Sequence, residues 1–139
     1  MHLDEKKTAA IFKAFCDENR IRILKLLQTG EKCACKLLEE KGISAEIVDI
    51  ATLKPLDVEA VVSSVTKTGA VVCAEEHNQA GGLGELISGV LAAHCPVPVE
   101  FVNGQDRFGQ SGTPAELMKA YGLDGEHIAE AALKAISRK

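Results

Sequence analysis

Residues 70–101 place a short apolar run, a glycine-rich turn, an amphipathic helix and a second apolar run in succession, and this order constrains the fold most. Residues 70–74 carry no charge and include two adjacent valines, as is typical of a strand that is covered on both faces. Five polar residues follow, and Gly81, Gly82 and Gly84 then allow backbone angles that a residue with a Cβ resists. The pattern predicts a strand that ends in a glycine turn.

The segment after the glycines predicts a helix and a second strand. Its apolar residues recur at spacings of three and four, which defines one helix face: Leu83, Leu86, Ile87, Val90 and Leu91. Pro96 and Pro98 end the helix, because proline has no amide hydrogen to donate. Residues 97–102 supply the next apolar run. We therefore predict one βαβ unit with parallel strands.

The remaining patterns predict an α/β fold of three layers, with helices on both faces of a mainly parallel sheet. Its three strands are predicted at residues 44–50, 70–74 and 97–102. Further helices are predicted at residues 3–15, 20–28, 32–41, 58–67, 114–121 and 124–139. We expect an N-terminal helical part, residues 1–40, packed on an α/β domain formed by residues 41–139.

The composition indicates an ordinary soluble protein with an acidic body. The chain of 139 residues has a net charge of −4, and its acidic larger part argues against nonspecific nucleic-acid binding, because neutralising phosphates needs a basic face. Its apolar runs are far shorter than the roughly 20 residues that span a bilayer, and its first residues lack a signal-peptide apolar segment. We expect a cytoplasmic location and neither a nucleic-acid nor a membrane partner.

The glycine turn is the candidate ligand site. Free amides at a helix start favour anions, so Gly82 and Gly84 could hold a small anion there. The turn matches no phosphate-binding motif and has acidic neighbours, which favours a structural turn. His77 at the strand end could act as a general acid or base. A structural function in a polar turn is the better interpretation, because the polar residues after a buried strand bond the backbone of the turn. We predict no catalytic residue.

Five cysteines, an odd number, predict reduced thiols and no disulfide framework. Cys33 and Cys35 lie one residue apart, and Cys16 could approach them from a neighbouring helix. These three thiolates are a candidate metal site, but a closed site needs four ligands, so free thiols are the favoured interpretation.

Four phrases resemble the C-terminal domain of transketolases, especially the split or short microbial kind. They are GISAEIVDIATLKPLD, TGAVVCAEEHNQAGGLGELI, VPVEFV and DRFGQSGTPAELMKAYGL, and they cover about residues 36–139. Gln110 departs from the family, which often has Glu in this loop. The resemblance implies that the sheet of the family has one more strand, which lies in the sheet between the strands equivalent to residues 44–50 and 70–74. That strand is missing here. Either these two strands pair directly, which we expect, or a second chain completes the sheet.

Residues 10–40, AIFKAFCDENRIRILKLLQTGEKCACKLLEE, resemble the first helices of ArsR-type winged-helix repressors. The likeness covers about residues 5–40, and no recognition helix or wing follows it. Arg20, Arg22 and Lys25 are therefore interpreted as a solvated helix face and not as a DNA-binding face. The two resemblances together predict a chimera of two families.

The transketolase resemblance implies a structural and subunit-association domain without catalysis of its own. Thiamine diphosphate and a divalent metal would be needed only if a partner chain supplied the preceding domains. The alternatives are the C-terminal subunit of a split transketolase, with an N-terminal subunit as partner, and a truncated ArsR-like metal or DNA sensor. We expect a homo-oligomer such as a dimer, and no cofactor bound by this chain alone.

Overall fold

A computed structural model of the chain describes residues 34–139, which form one compact unit. In chain order its elements are α1 (Ala34–Glu40), α2 (Val58–Thr68), β1 (Val71–Ala74), α3 (Leu83–His94), β2 (Val99–Val102), α4 (Pro114–Tyr121) and α5 (Gly125–Ser137). The strands β1 and β2 are parallel, with Val71 opposite Val99 and Ala74 opposite Val102. Since α3 connects them, the predicted βαβ unit is confirmed, and so is the α/β class.

Helices cover both faces of the two-stranded sheet. On one face, alternate residues of both strands pack with α2 and α3 in a core cluster centred on Val61, Val65, Cys73, Ile87 and Leu91. Leu91 is 1% exposed. On the other face, α5 contacts both strands and α1 packs against α5. No helix within residues 34–139 is both long enough and apolar enough to cross a membrane.

Helix ends follow the local sequence signals closely. Asp57 and Asp124 accept amide hydrogen bonds at the starts of α2 and α5, and Gly69 and Gly122 end α2 and α4 in the left-handed region. Thr113 begins α4 with a reciprocal capping box. The predicted helices at 58–67, 114–121 and 124–139 are confirmed to within two residues, because these caps are encoded by immediate neighbours.

The prediction of a strand at residues 44–50 is wrong. These residues form no ladder with any part of residues 34–139, and the sheet holds only β1 and β2. A strand exists only where a neighbour accepts its backbone groups, and residues 34–139 place no strand beside this segment. The direct pairing of residues 44–50 with 70–74 is therefore not formed.

Strand β1 is also less buried than its apolar sequence predicts. Cys73 is buried, Val71 and Val72 are half-buried, and Ala74 is exposed. A strand that is covered on both faces and on both edges would bury all four side chains. The edge of β1 remote from β2 has no neighbouring strand within residues 34–139, which accounts for the difference.

Glu100 of β2 is buried and forms ion pairs with Lys134 of α5 and with Arg138 directly after that helix, and both of these partners are exposed. It is 8% exposed and accepts hydrogen bonds from Lys134 Nζ at 2.7 Å and from the Arg138 guanidinium. Arg138 also donates to the Val99 carbonyl at 3.2 Å. The hydrogen bond from Lys134, ahead of that from Arg138, lowers the pKa of Glu100. These ion pairs connect the C-terminal end of α5 to β2.

Replacing Glu100 by glutamine should lower the free energy of unfolding at pH 7 by about 1–3 kcal/mol, because two charged hydrogen bonds weaken. The folded-state pKa of Glu100 is lowered, so its contribution is present above the unfolded-state pKa and is lost as pH falls through the folded-state pKa. The difference between wild type and Glu100→Gln should therefore shrink in acid. Urea unfolding across this pH range measures it, with Glu130→Gln at an exposed position of α5 as control. An equal loss in both variants would contradict the assignment.

Candidate functional site

The carboxyl ends of the two strands meet at one edge of the sheet, where they position the candidate site. The amide of Glu75 donates to the carbonyl of Val102 at 2.9 Å, just beyond both strands. Two residues later, the carbonyl of His77 accepts from the amide of Gly104, also at 2.9 Å. These bonds hold the glycine turn and the loop of residues 103–113 side by side.

The carboxylate of Glu75 sits at the start of α3. Its Oε2 accepts from the amide of Leu83 at 2.7 Å, and its Oε1 accepts from the amide of Gly84 at 2.9 Å. The N-cap residue is Gly82, which has no side chain that could accept these bonds. A negative charge also suits the positive end of the helix dipole. An acid from the preceding strand end therefore caps the helix.

Glycine is required in this turn for two different reasons. Gly81 has a φ of +75°, in the left-handed region that favours glycine. Gly82 is extended, but a Cβ there would lie 2.5 Å from the Asn78 carbonyl oxygen and 2.5 Å from Glu75 Oε2. A Cβ on Gly84 would overlap the ring of Phe101. Space, and not backbone angle, fixes glycine at these last two positions.

The amides proposed for anion binding already have acceptors. Gly84 donates to Glu75, Gly82 donates to the Gln79 carbonyl at 3.3 Å, and Gly81 donates to Glu85 Oε2 at 2.5 Å. A free anion at Gly82 and Gly84 would have to displace a carboxylate of the protein itself. Anion binding at these two residues stays a prediction and requires that displacement.

His77 lies in an exposed polar turn beside the site. Its Nδ1 is 2.9 Å from the Asn78 carbonyl oxygen, and its own carbonyl belongs to the bond with Gly104. Neighbouring Glu76 is exposed. The His77 ring thus contacts the backbone of the turn and its carbonyl contacts the neighbouring loop, and the structural interpretation of this residue stays a prediction.

Asn103 is a buried residue of the site that the sequence pattern does not single out. It is almost fully buried directly after β2, and its Oδ1 accepts from the amide of Gln105 at 3.0 Å. Gln105 and Asp106 have φ angles of 54° and 53°, so two left-handed residues turn the chain sharply. The asparagine stabilises this turn in the way that Asx turns do.

The loop that follows presents one exposed aromatic side chain. Phe108 is 96% exposed, yet its carbonyl accepts from the Tyr121 hydroxyl at 2.7 Å. The Arg107 guanidinium lies over the Tyr121 ring, 4.9 Å from its centroid. Gln110, where the related family often has Glu, is exposed in the same loop. The Tyr121 hydroxyl therefore fixes the backbone of the loop, while the Phe108 side chain faces solvent.

Two cysteines in the described residues are free thiols, Cys73 and Cys95. Burial, and then the charge of Glu75, raises the pKa of Cys73 to about 11, so it stays protonated at neutral pH. Residues 34–139 contain no group of three His, Cys, Asp or Glu side chains placed to hold a metal ion. The side chains of the metal candidates Cys16, Cys33 and Cys35 lie outside the described part.

Comparison with known proteins gives one family. The family model described as "Transketolase, C-terminal domain" matches residues 32–128. A 6-deoxy-6-sulfo-D-fructose transketolase subunit from Clostridium sp. (strain MSTE9) is 42% identical over 76% of this chain and 33% of its own length. A Methanocaldococcus jannaschii protein described as a putative transketolase C-terminal section is 38% identical over 84% of this chain and 38% of its own length.

A solved structure supports the same likeness. It is described as "Split gene transketolase, inactive beta4 tetramer", and it matches with a TM-score of 0.73 and 47% identity over 76% of this chain and 35% of that one. This chain thus spans about a third of the length of these relatives.

The comparisons give the predicted chimera no support. A match over 84% of the chain reaches N-terminal of residue 36, because residues 36–139 make up only about three quarters of it. The transketolase likeness therefore enters the segment that resembles ArsR-type repressors. That segment, about residues 5–40, lies mostly outside the described residues.

Proposed function

Because the chain belongs to the family of transketolase C-terminal domains, we propose that it is the C-terminal subunit of a split transketolase. In this function it supports the fold and associates with other subunits, and it performs no ketol transfer by itself. The observation that carries the proposal is the match to separate transketolase subunits and sections over three quarters of the chain or more. The rest of the enzyme would come from a partner chain.

The solved relative supports both halves of the proposal. That protein is a split-gene transketolase in the form of an inactive β4 tetramer. Association without activity is the behaviour that we propose for this chain. By the same comparison, we propose that this chain also forms a homo-oligomer.

The described residues do not fit the cofactors of the family, thiamine diphosphate and a divalent metal. The glycine-turn amides that could donate to a phosphate already donate to protein acceptors: Gly81 to Glu85, Gly82 to the Gln79 carbonyl and Gly84 to Glu75. Within residues 34–139 no three acidic, histidine or cysteine side chains converge on a metal position. We therefore assign cofactor binding to the partner chain and derive no step through the cofactor here.

A complementation assay tests this function. The purified full chain with thiamine diphosphate and Mg²⁺ should transfer no ketol group from a ketose phosphate to an aldose phosphate. Adding it to a transketolase chain that lacks its own C-terminal domain should raise that chain's turnover about tenfold or more, because a missing domain leaves the active-site chain unsupported. Co-elution of the two chains in gel filtration reports the association directly.

The controls separate the two halves of the proposal. The truncated transketolase alone gives the basal rate, and its full-length parent gives the rate of the intact enzyme. Turnover by this chain alone would refute the absence of autonomous catalysis. Failure of the two chains to co-elute, with an unchanged basal rate, would refute the subunit assignment.

A further inference from the structure

The outer edge of β1 offers free backbone groups. The amides of Val71 and Glu75 donate to the segment of β2, so the alternate residues, Val72 and Ala74, direct their backbone groups away from it. No strand within residues 34–139 receives them. Val72 is half-buried and Ala74 is exposed, so this part of β1 is not fully enclosed. Open strand edges of this kind pair readily with another strand.

Residues 44–50 are the counterpart of this edge. They run without helix or ladder, and Ile47 is 69% exposed although it is a large apolar residue. The segment is held at two points: Ile50 packs against the core cluster, and Glu46 accepts from Lys67 Nζ at 3.3 Å. It is therefore a strand-like segment that is positioned but unpaired.

We propose that two copies of this chain associate by reciprocal strand addition, in which residues 44–50 of each copy pair with the outer edge of β1 of the other. Neither feature has a strand partner within residues 34–139, and a two-fold dimer satisfies both of them twice. This inference rests on the proposed function, since it gives the subunit association a surface.

Charge complementarity favours a second copy as the occupant. Residues 44–50 carry Glu46 and Asp49, whereas β1 is uncharged and is preceded by Lys67 at the end of α2. Lys67 already pairs with Glu46 within one chain, and an incoming segment brings the same glutamate to the same lysine. An acidic segment thus matches the basic start of the edge that it would cover.

A charge introduced at Ile47 tests whether residues 44–50 form the dimer contact. Ile47→Lys should raise the dimer dissociation constant of the full chain, measured by sedimentation equilibrium, by about tenfold or more, because it places a lysine in both strand junctions. The matched control is Phe108→Lys, an exposed aromatic elsewhere in the domain, which should leave the constant unchanged. A monomeric wild type, or dissociation by Phe108→Lys alone, would overturn the proposal.

The edge is tested separately by Val72→Pro, which removes an amide that points away from β2. Neither Val72→Pro nor Ile47→Lys should self-associate strongly. An equal mixture should form a heterodimer, because Ile47→Lys retains an intact β1 edge and Val72→Pro retains an intact segment 44–50. Circular dichroism checks that each variant is folded, and Ala74→Pro, which removes the other amide that points away from β2, replaces Val72→Pro if it is not.

Two other modes of association give different results. Pairing of β1 with β1 of a second copy would leave Ile47→Lys dimeric, and a strand supplied only by a transketolase partner would leave the wild-type chain monomeric. Either result overturns reciprocal strand addition. Neither affects the complementation assay, so failure of this inference is distinguishable from failure of the proposed function.

Discussion

Replacing Glu75 by alanine should lower the free energy of unfolding by about 2–4 kcal/mol, because two amides of the first turn of α3 lose a charged acceptor. Glu75→Gln should lose about half as much, since one amide oxygen can still accept a hydrogen bond. Urea unfolding of the full chain at one fixed protein concentration measures both losses. The same variants should speed hydrogen exchange at Leu83 and Gly84, whose amides Glu75 holds.

The neighbouring acid is the control for Glu75. Glu76 has the same charge and lies one position along the chain, but it is exposed. Glu76→Gln should change the free energy of unfolding by less than about 0.5 kcal/mol, as surface substitutions usually do. Similar losses at Glu75 and Glu76 would show that the effect is general repulsion and not helix capping.

Gly82→Ala should destabilise the protein by about 2–3 kcal/mol, because its Cβ would press on the Asn78 carbonyl oxygen and displace the Glu75 carboxylate. Most of this cost is thus the same lost cap. The double variant with Glu75→Ala should therefore lose clearly less than the sum of the two single losses. A double-mutant cycle in urea measures this coupling.

A second glycine of the same helix is the control for Gly82. Gly89 lies on the exposed side of α3, and a Cβ there would meet no atom within 4 Å. Gly89→Ala should stabilise the chain by about 0.5–1 kcal/mol, through helix propensity alone. Additive losses for Glu75→Ala and Gly82→Ala would contradict a shared capping site.

Local patterns in the sequence predict the helices and the βαβ unit well. Helix α3 is an example, because its apolar spacing and the prolines after it act within a few residues of one another. The function of Glu75 cannot be predicted in this way. Glu75 and Glu76 are the same residue type in the same polar turn, and only the path of the chain over eight or nine residues decides which one reaches the helix start.

The segment of residues 44–50 shows the other limit of prediction from sequence. Its pattern predicts an extended chain, and the structure has no helix there, but whether an extended chain becomes a strand depends on a neighbour that is distant in sequence. The half-exposed state of β1 has the same cause. Alternation of apolar residues describes the faces of a strand and carries no information about its edges.

The ion pairs of Glu100 have a consequence for how the chain is made. The partner residue Arg138 follows Glu100 by 38 residues and lies directly after α5, the helix that packs on one face of the sheet. At ribosomal rates of about 5–20 residues per second, that face and its carboxylate wait about 2–8 s for their cover. During each round of translation, the sheet face that α5 covers therefore stays open for several seconds after Glu100 has been added to the chain.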